Sequence, residues 1–248
     1  MFRYKTISLL CILLIIGMII FGYYGWILVV GIVWLGLTAW GAFDIRLGYF
    51  LPVFYRKKTS KKIIAITFDD GPTEFTPKIL DVLQKFDVKA TFFCIGKQIE
   101  KHPDIFRRIH TEEHQIGNHS YSHSNSFGFF SAQKVKEELQ KTDLLIEKIT
   151  GEKNHYFRPP FGVTNPHIAK AVKAVNHQVI GWNIRSLDTV IEDKNKILQR
   201  ITNKIKPGSI ILLHDTSEKT LWVLEQLLLT LQRENYQIVT IEKLIKDA

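Results

Sequence analysis

The sequence predicts an α/β domain with a mostly parallel sheet, either a barrel or a doubly wound sheet, behind an N-terminal membrane anchor. Three observations carry that prediction. Residues 7–43 are almost wholly apolar, with no charge inside the run. The composition turns to that of a soluble domain at Lys61. From there strand-like runs alternate with helical patterns, the arrangement that builds a parallel sheet covered by helices.

The apolar run comes first. As one helix it would reach ~55 Å at ~1.5 Å per residue, far beyond a ~30 Å hydrocarbon core. Gly22-Tyr23-Tyr24-Gly25 places turn residues and interfacial aromatics in its middle. Two short spans are therefore expected, about 7–22 and 26–43, within an anchor covering 1–45. No small-residue cleavage site of a signal peptide follows the run. The formal net charge is +9, and six basic residues (Arg46, Arg56, Lys57, Lys58, Lys61 and Lys62) crowd the stretch just after the anchor. That stretch reads as a basic juxtamembrane linker over 46–60. No basic helix interleaved with aromatics lies elsewhere, so the charge points to a membrane partner and not to nucleic acid. Cys11 lies in the apolar run and Cys94 in a strand-like run, a pair with neither metal-type spacing nor a disulfide framework.

The soluble part, 61–248, contains strand-like runs at 63–68, 90–95, 115–118, 156–158, 179–182, 210–213 and 237–240. Thr76-Pro77 reads as an N-cap followed by proline at the first helical position, opening a helix to 86. Asn165-Pro166 opens another through Val175, and Ser131 opens a long amphipathic helix that Gly151 closes. In folds of this kind the chemistry gathers at the carboxyl ends of the strands.

The polar residues fall there. Asp69-Asp70-Gly71-Pro72 follows the strand 63–68. Adjacent side chains diverge, so one carboxylate can ligate a metal while its neighbour faces a substrate. After the third strand comes His119-Ser120-Tyr121-Ser122-His123. Two histidines four residues apart on a helical turn meet at about 5–6 Å, a workable bite for one cation. With Asp70 they make two imidazoles and a carboxylate, the three-ligand pattern of a metal site with an open position. The histidines at 102, 110, 114, 155, 167 and 177 have no such partners and read as surface or capping residues. In Arg158-Pro159-Pro160-Phe161-Gly162 two prolines stiffen the backbone, so the guanidinium can be fixed against a carboxylate. Asp188 follows the fifth strand and is placed to orient a histidine, and His214 ends the apolar strand 210–213, where it can act as a general acid. Read singly, these pieces also suit a solvated turn, an exposed arginine or a packed strand end. Their combination does not.

In order and spacing the five pieces resemble the polysaccharide deacetylase family, also called the NodB-homology or carbohydrate esterase 4 family. The match covers about residues 61–245: TFDDGP at 67–72, HSYSH at 119–123, RPPFG at 158–162, the Asp188 segment, and LLHD at 212–215. The resemblance implies a distorted (β/α) barrel, one divalent metal ion, expected to be Zn²⁺, and hydrolysis of N-acetyl groups from aminosugars. It implies Asp69 as base, Asp70, His119 and His123 as metal ligands, and Arg158 as the group holding Asp69. It makes His214 the acid, tuned by Asp188, with Leu212 lining the acetyl pocket and the backbone N–H of Phe161 serving the oxyanion site. Two positions depart from the pattern. Phe161 stands where tyrosine is frequent, and Thr189 stands where a tryptophan commonly follows the aspartate. The second leaves one wall of the sugar site without its ring, and Trp182 reads either as core or as a replacement.

The expected function is thus de-N-acetylation of aminosugar polymers such as peptidoglycan or poly-N-acetylglucosamine. Deacylation of a lipid-linked sugar and a catalytically inactive carbohydrate-binding domain stand as alternatives. The side of the membrane stays open. For a hairpin, Arg3, Lys5 and the basic run 46–62 favour the cytoplasm, whereas a polymeric glycan requires the outside.

Overall fold

The computed structural model describes residues 4–247. Arg3 and Ala248 lie outside the described residues. Two apolar helices, α1 (Tyr4–Ile20) and α2 (Ile27–Phe43), fold back on each other through a turn at residues 21–26, and Trp34 Nε1 donates to Ser8 Oγ across them at 3.2 Å. The stretch Tyr24–Phe43 is long and apolar enough to cross a membrane, and Tyr4–Ile20 is shorter. Their outward faces are bare: Leu9, Ile20, Phe21, Leu28 and Leu35 are all more than half exposed.

The chain then builds β1 (Val53–Phe54), β2 (Ile63–Asp69), α3 (Thr76–Lys85), β3 (Thr91–Cys94), α4 (Gly96–Lys101), α5 (Pro103–Thr111) and β4 (Gln115–Asn118). There follow α6 (Ala132–Thr150), β5 (Tyr156–Phe157), α7 (Pro166–Val175), β6 (Gln178–Ile180), β7 (Ile184–Arg185) and α8 (Lys194–Thr202). The chain ends with β8 (Ile210–His214), α9 (Glu218–Arg233), β9 (Gln237–Ile238) and α10 (Ile241–Asp247). The named strands pair in parallel in the order β1-β6-β5-β4-β3-β2-β8-β7, with β9 added beside the start of β2. The sheet curls because the chain runs from β6 through only Gly181-Trp182-Asn183 into β7, at the opposite end of that order. This is the distorted, incompletely hydrogen-bonded (β/α) barrel.

Side chains alternate in and out of the curl. On β2, Ile63 and Ala65 join Phe93, Phe157, Val179, Ile210 and Leu212 in one core inside the curl, while Ile64, Ile66 and Phe68 join Phe92, Ile211 and Leu213 in another under helices such as α3 and α9. The period of two puts Asp69 and His214 with the first set, at the mouth of the barrel.

The helix signals hold with one exception. Ser131 Oγ accepts from Lys134 N–H at 3.2 Å, Asn165 Oδ1 accepts from Ile168 N–H at 2.9 Å, and Gly151 ends α6 in the left-handed region at φ 77°. Thr76 does not cap its own helix. Its hydroxyl accepts from Thr73 N–H at 2.7 Å and donates to Asp215, tying the turn after Asp70 to the end of β8.

Residues 46–60, read from sequence as a basic linker, contribute to the barrel. Val53 and Phe54 extend the sheet beside β6, Arg56 bridges Ser209, and Leu51 is buried with the inner core, as is Ile45 just before them. The two-residue strand was too short to stand out among the charges around it.

Candidate active site

The loops after β2, β4, β5, β7 and β8 converge at the carboxyl ends of the strands. The β2–β8 register makes Asp69 and His214 direct neighbours. Around them stand Asp70, His119, His123, Arg158 and Asp188, all of which the fold brings together.

Asp70, His119 and His123 each present one donor atom, all within 4.8 Å of one another. Asp70 Oδ1 lies 3.5 Å from His119 Nε2 and 3.4 Å from His123 Nε2. Those spacings are long for hydrogen bonds. They match the ~3.3–3.6 Å edge of a tetrahedron with metal–ligand bonds of ~2.0–2.2 Å. The donor chemistry agrees. His119 Nδ1 faces the Arg158 carbonyl oxygen at 2.7 Å, which fixes Nδ1 as the protonated nitrogen and leaves Nε2 bare toward the site. Burial, and then the neighbouring His119, hold His123 down to about 4, so it too stays neutral and able to ligate. Burial alone would raise Asp70, but the imidazoles of His119, His123 and His214 keep its carboxyl well below the ordinary range. The three residues fit one divalent cation.

The histidine pair does not sit on a helical turn. Residues 119–123 form an irregular loop in which Ser120 (φ 63°) and His123 (φ 46°) take left-handed backbone, and Ser120 Oγ accepts from His123 N–H at 3.1 Å. Asp70 (φ 76°), Phe161 (φ 60°) and Leu187 (φ 61°) share that region. Non-glycine residues there cost about 1–3 kcal/mol each, and this strain is concentrated in the loops that carry the site.

Arg158 is fully buried, its guanidinium 4.1 Å from the centre of the Phe93 ring. It donates to Asp69 Oδ1 and Thr67 Oγ1, both at 2.7 Å, to the Gly181 carbonyl at 3.0 Å and to the Ile180 carbonyl at 3.2 Å. With so many acceptors engaged the guanidinium cannot swing, and it fixes one oxygen of Asp69. The other, Oδ2, lies 3.8 Å from His119 Nε2.

His214 is organised in the same way from the opposite side. Its Nδ1 meets Asp188 Oδ1 at 2.7 Å, its backbone N–H donates to Asp188 Oδ2 at 2.8 Å, and Nε2 points to Asp70 Oδ2 at 4.0 Å. Burial opposes charge on His214, but the Asp188 carboxylate outweighs it and raises the imidazole to about 9. Asp188 also accepts from Ser186 Oγ at 2.8 Å and Thr220 Oγ1 at 2.9 Å, and despite its burial the adjacent His214 keeps it low. Leu212 lies two residues before His214 in the inner core, and the half-exposed Phe161 ring rests 4.8 Å from that of His123. Trp182 is buried against Gly162 and Arg158 and is a core ring.

A family model described as polysaccharide deacetylase matches residues 56–180. The chain belongs to this family. It is 33% identical over 197 residues to the peptidoglycan-N-acetylmuramic acid deacetylase PdaA of Bacillus subtilis, covering 77% of this chain and 74% of that one. It is 37% identical over 158 residues to a peptidoglycan-N-acetylglucosamine deacetylase of Bacillus cereus, covering 63% and 57%. Among solved structures, the Bc1960 peptidoglycan N-acetylglucosamine deacetylase superposes with a TM-score of 0.73 at 32% identity, over 77% of this chain and 91% of that one. A pseudoenzyme of the same family from Bacillus anthracis superposes with a TM-score of 0.74 at 31% identity, over 79% and 69%.

Sequence reasoning missed two supporting residues of this deacetylase-family site, and misread one histidine away from it. Glu138 on α6 is buried, and its Oε2 accepts from Tyr121 N–H (3.1 Å), Ser122 N–H (2.7 Å) and Ser122 Oγ (2.9 Å), clamping the histidine loop. The signal was present: a glutamate inside the apolar stripe Val135, Leu139, Thr142, Ile146. Asp215 is fully buried against Gly71, where no side chain would fit, accepts from the Thr76 hydroxyl, and is pushed up to about 7 by burial. His114, read as surface or capping, is a core residue. Its Nδ1 accepts from Ala90 N–H at 3.1 Å, and burial lowers it to about 4.

Proposed function

We propose that the chain is a membrane-anchored hydrolase that removes N-acetyl groups from aminosugar polymers of the peptidoglycan type, with Zn²⁺ held by Asp70, His119 and His123. One observation carries the reading. Asp69 and His214 occupy paired positions on adjacent strands, each within 4.0 Å of a donor of the three-residue site and each fixed by its own buried partner. Filled positions and intact geometry argue against an inactive binding domain.

When bound, the cation supplies Lewis acidity, polarising the amide carbonyl and lowering the pKa of a water toward ~7. Asp69, its other oxygen locked by Arg158, takes the proton from the attacking water at Oδ2. The Phe161 N–H donates to the developing oxyanion. His214, cationic and held through Nδ1 by Asp188, gives its Nε2 proton to the departing amine nitrogen, which otherwise leaves poorly. Leu212 provides apolar contact for the acetyl methyl. Acetate and a free amine result. Asp69→Asn tests the scheme, because the amide oxygen still accepts from Arg158 while the base is gone. Acetate release should fall by roughly 10²–10⁴ with metal still bound, and an unchanged rate would exclude Asp69 as base.

A second substrate reading has its own support. Thr164 N–H donates to the Ala42 carbonyl at 3.0 Å, tying the end of α2 to the loop that bears Phe161 three residues earlier. Three residues span at most about 10 Å, so the site stays close to the apolar hairpin, as suits a lipid-linked aminosugar. Comparing rates on soluble oligomers and on polyprenyl-linked sugar separates the two.

A further inference from the structure

Away from the active site, a cavity of about 930 Å³ opens between the first turn of α1, the segment 50–52 and α7. Phe50, Leu51 and Tyr4 form an apolar wall, and Lys5, Lys170 and Lys173 stand around it. Among the described residues no carboxylate lines the cavity, and none of the three lysines has an ion-pair or hydrogen-bond partner for its ammonium group. Three unpaired cations around one opening repel each other, an arrangement that a surface serving no anion would relieve with a single glutamate.

The cavity's position decides which anion it suits. Lys5 lies in the first turn of α1, where a hairpin inserted in a bilayer leaves the hydrocarbon. α7 cannot drift from that level. Tyr4 N–H donates to the Tyr49 carbonyl at 3.1 Å, Gly41 packs on the Tyr49 ring, and Thr164, two residues before α7, is bonded to Ala42. Lys170 and Lys173 thus line the same cavity as Lys5, at the end of the hairpin where both apolar helices meet the barrel. We propose that this cleft seats the phosphate-bearing headgroup of an anionic phospholipid, with the lysines on the phosphate and the partly exposed Tyr4 and Phe50 against the start of the acyl chains. The proposal rests on the membrane-anchored reading above and adds the lipid class that the anchor selects.

The test uses the full chain in detergent micelles, titrated with phosphatidylglycerol or phosphatidylcholine and read by native mass spectrometry for retained lipid. The wild type should retain one phosphatidylglycerol in preference to phosphatidylcholine. Each juxtamembrane lysine contributes about fivefold in affinity, so Lys170→Ala with Lys173→Ala should weaken retention by roughly thirtyfold, and the double arginine variant should restore it. Both variants should keep the thermal stability of the wild type, since the two side chains are exposed. Equal retention of the two lipids, or no loss in the double alanine variant, overturns the proposal. Displacement of the lipid by an equal concentration of inorganic phosphate also overturns it, since the site would then be one for a soluble anion. Alkaline carbonate extraction of native membranes separates the two readings. Release of the protein overturns both anchor and lipid site, whereas a retained protein without lipid preference overturns the lipid site alone.

Discussion

Asp188→Asn removes one charge and almost no volume from the pair that holds His214. Burial alone would push His214 below its ordinary 6.5, and the carboxylate raises it to about 9. That difference corresponds to about 3 kcal/mol at ~1.4 kcal/mol per pH unit. The asparagine oxygen can still accept from the imidazole Nδ1–H, so the ring stays oriented while the stabilisation of its charge is lost. The acid form of His214 is the reactive one, so its loss draws the alkaline limb of the rate profile, and that limb should move from near 9 to about 6.5. Near pH 8 the cationic fraction then falls about thirtyfold, whereas near pH 6 it changes by less than about twofold. The assay is kcat/KM for acetate release across that range, with metal content measured in parallel. The effect must depend on pH. An equal loss at both ends, with metal retained, would refute the claim that Asp188 acts through the proton on His214.

Two further predictions concern parts of the structure away from the reacting groups. Glu138→Ala frees the histidine loop from its three hydrogen bonds and should weaken metal affinity about 10–100-fold, with circular dichroism unchanged; metal titration against a chromophoric chelator reads it. A truncation beginning at Asp44 keeps Ile45, Leu51 and β1 and should fold without the hairpin. One beginning at Arg56 loses β1 and the buried Ile45 and Leu51, the latter two worth about 2–5 kcal/mol each, and should be insoluble or show a much lower Tm by calorimetry.

Much of this was legible because the chemistry sits at strand ends, where an apolar run stops abruptly on a polar residue. Asp69, His119, Arg158 and His214 could each be assigned to such an end, and the strand and helix order implied the parallel sheet. What stayed hidden depends on long-range contacts or on short elements. β1 and β7 are two-residue strands whose only signal is the neighbour they pair with. The left-handed backbone at Ser120 and His123 carries no glycine to mark it, so the spacing suggested a helical turn where the chain makes an irregular loop. Thr76 was read as a cap because local sequence favours one, but a buried Asp215 some 139 positions away claimed its hydroxyl. Glu138 showed only as a flaw in an apolar stripe, with no local feature to say what it holds.

The central claim is that one cation at Asp70, His119 and His123 serves an amide hydrolysis run by Asp69 and His214. The direct measurement is acetate release from N-acetylglucosamine oligomers by the full chain, stripped of metal and then titrated with Zn²⁺ while bound ion is counted. Activity should vanish on stripping and return in step with one ion per chain, and His119→Ala with His123→Ala should neither bind the ion nor recover. Acetate release that survives stripping, or recovery in the double alanine variant, would contradict the account.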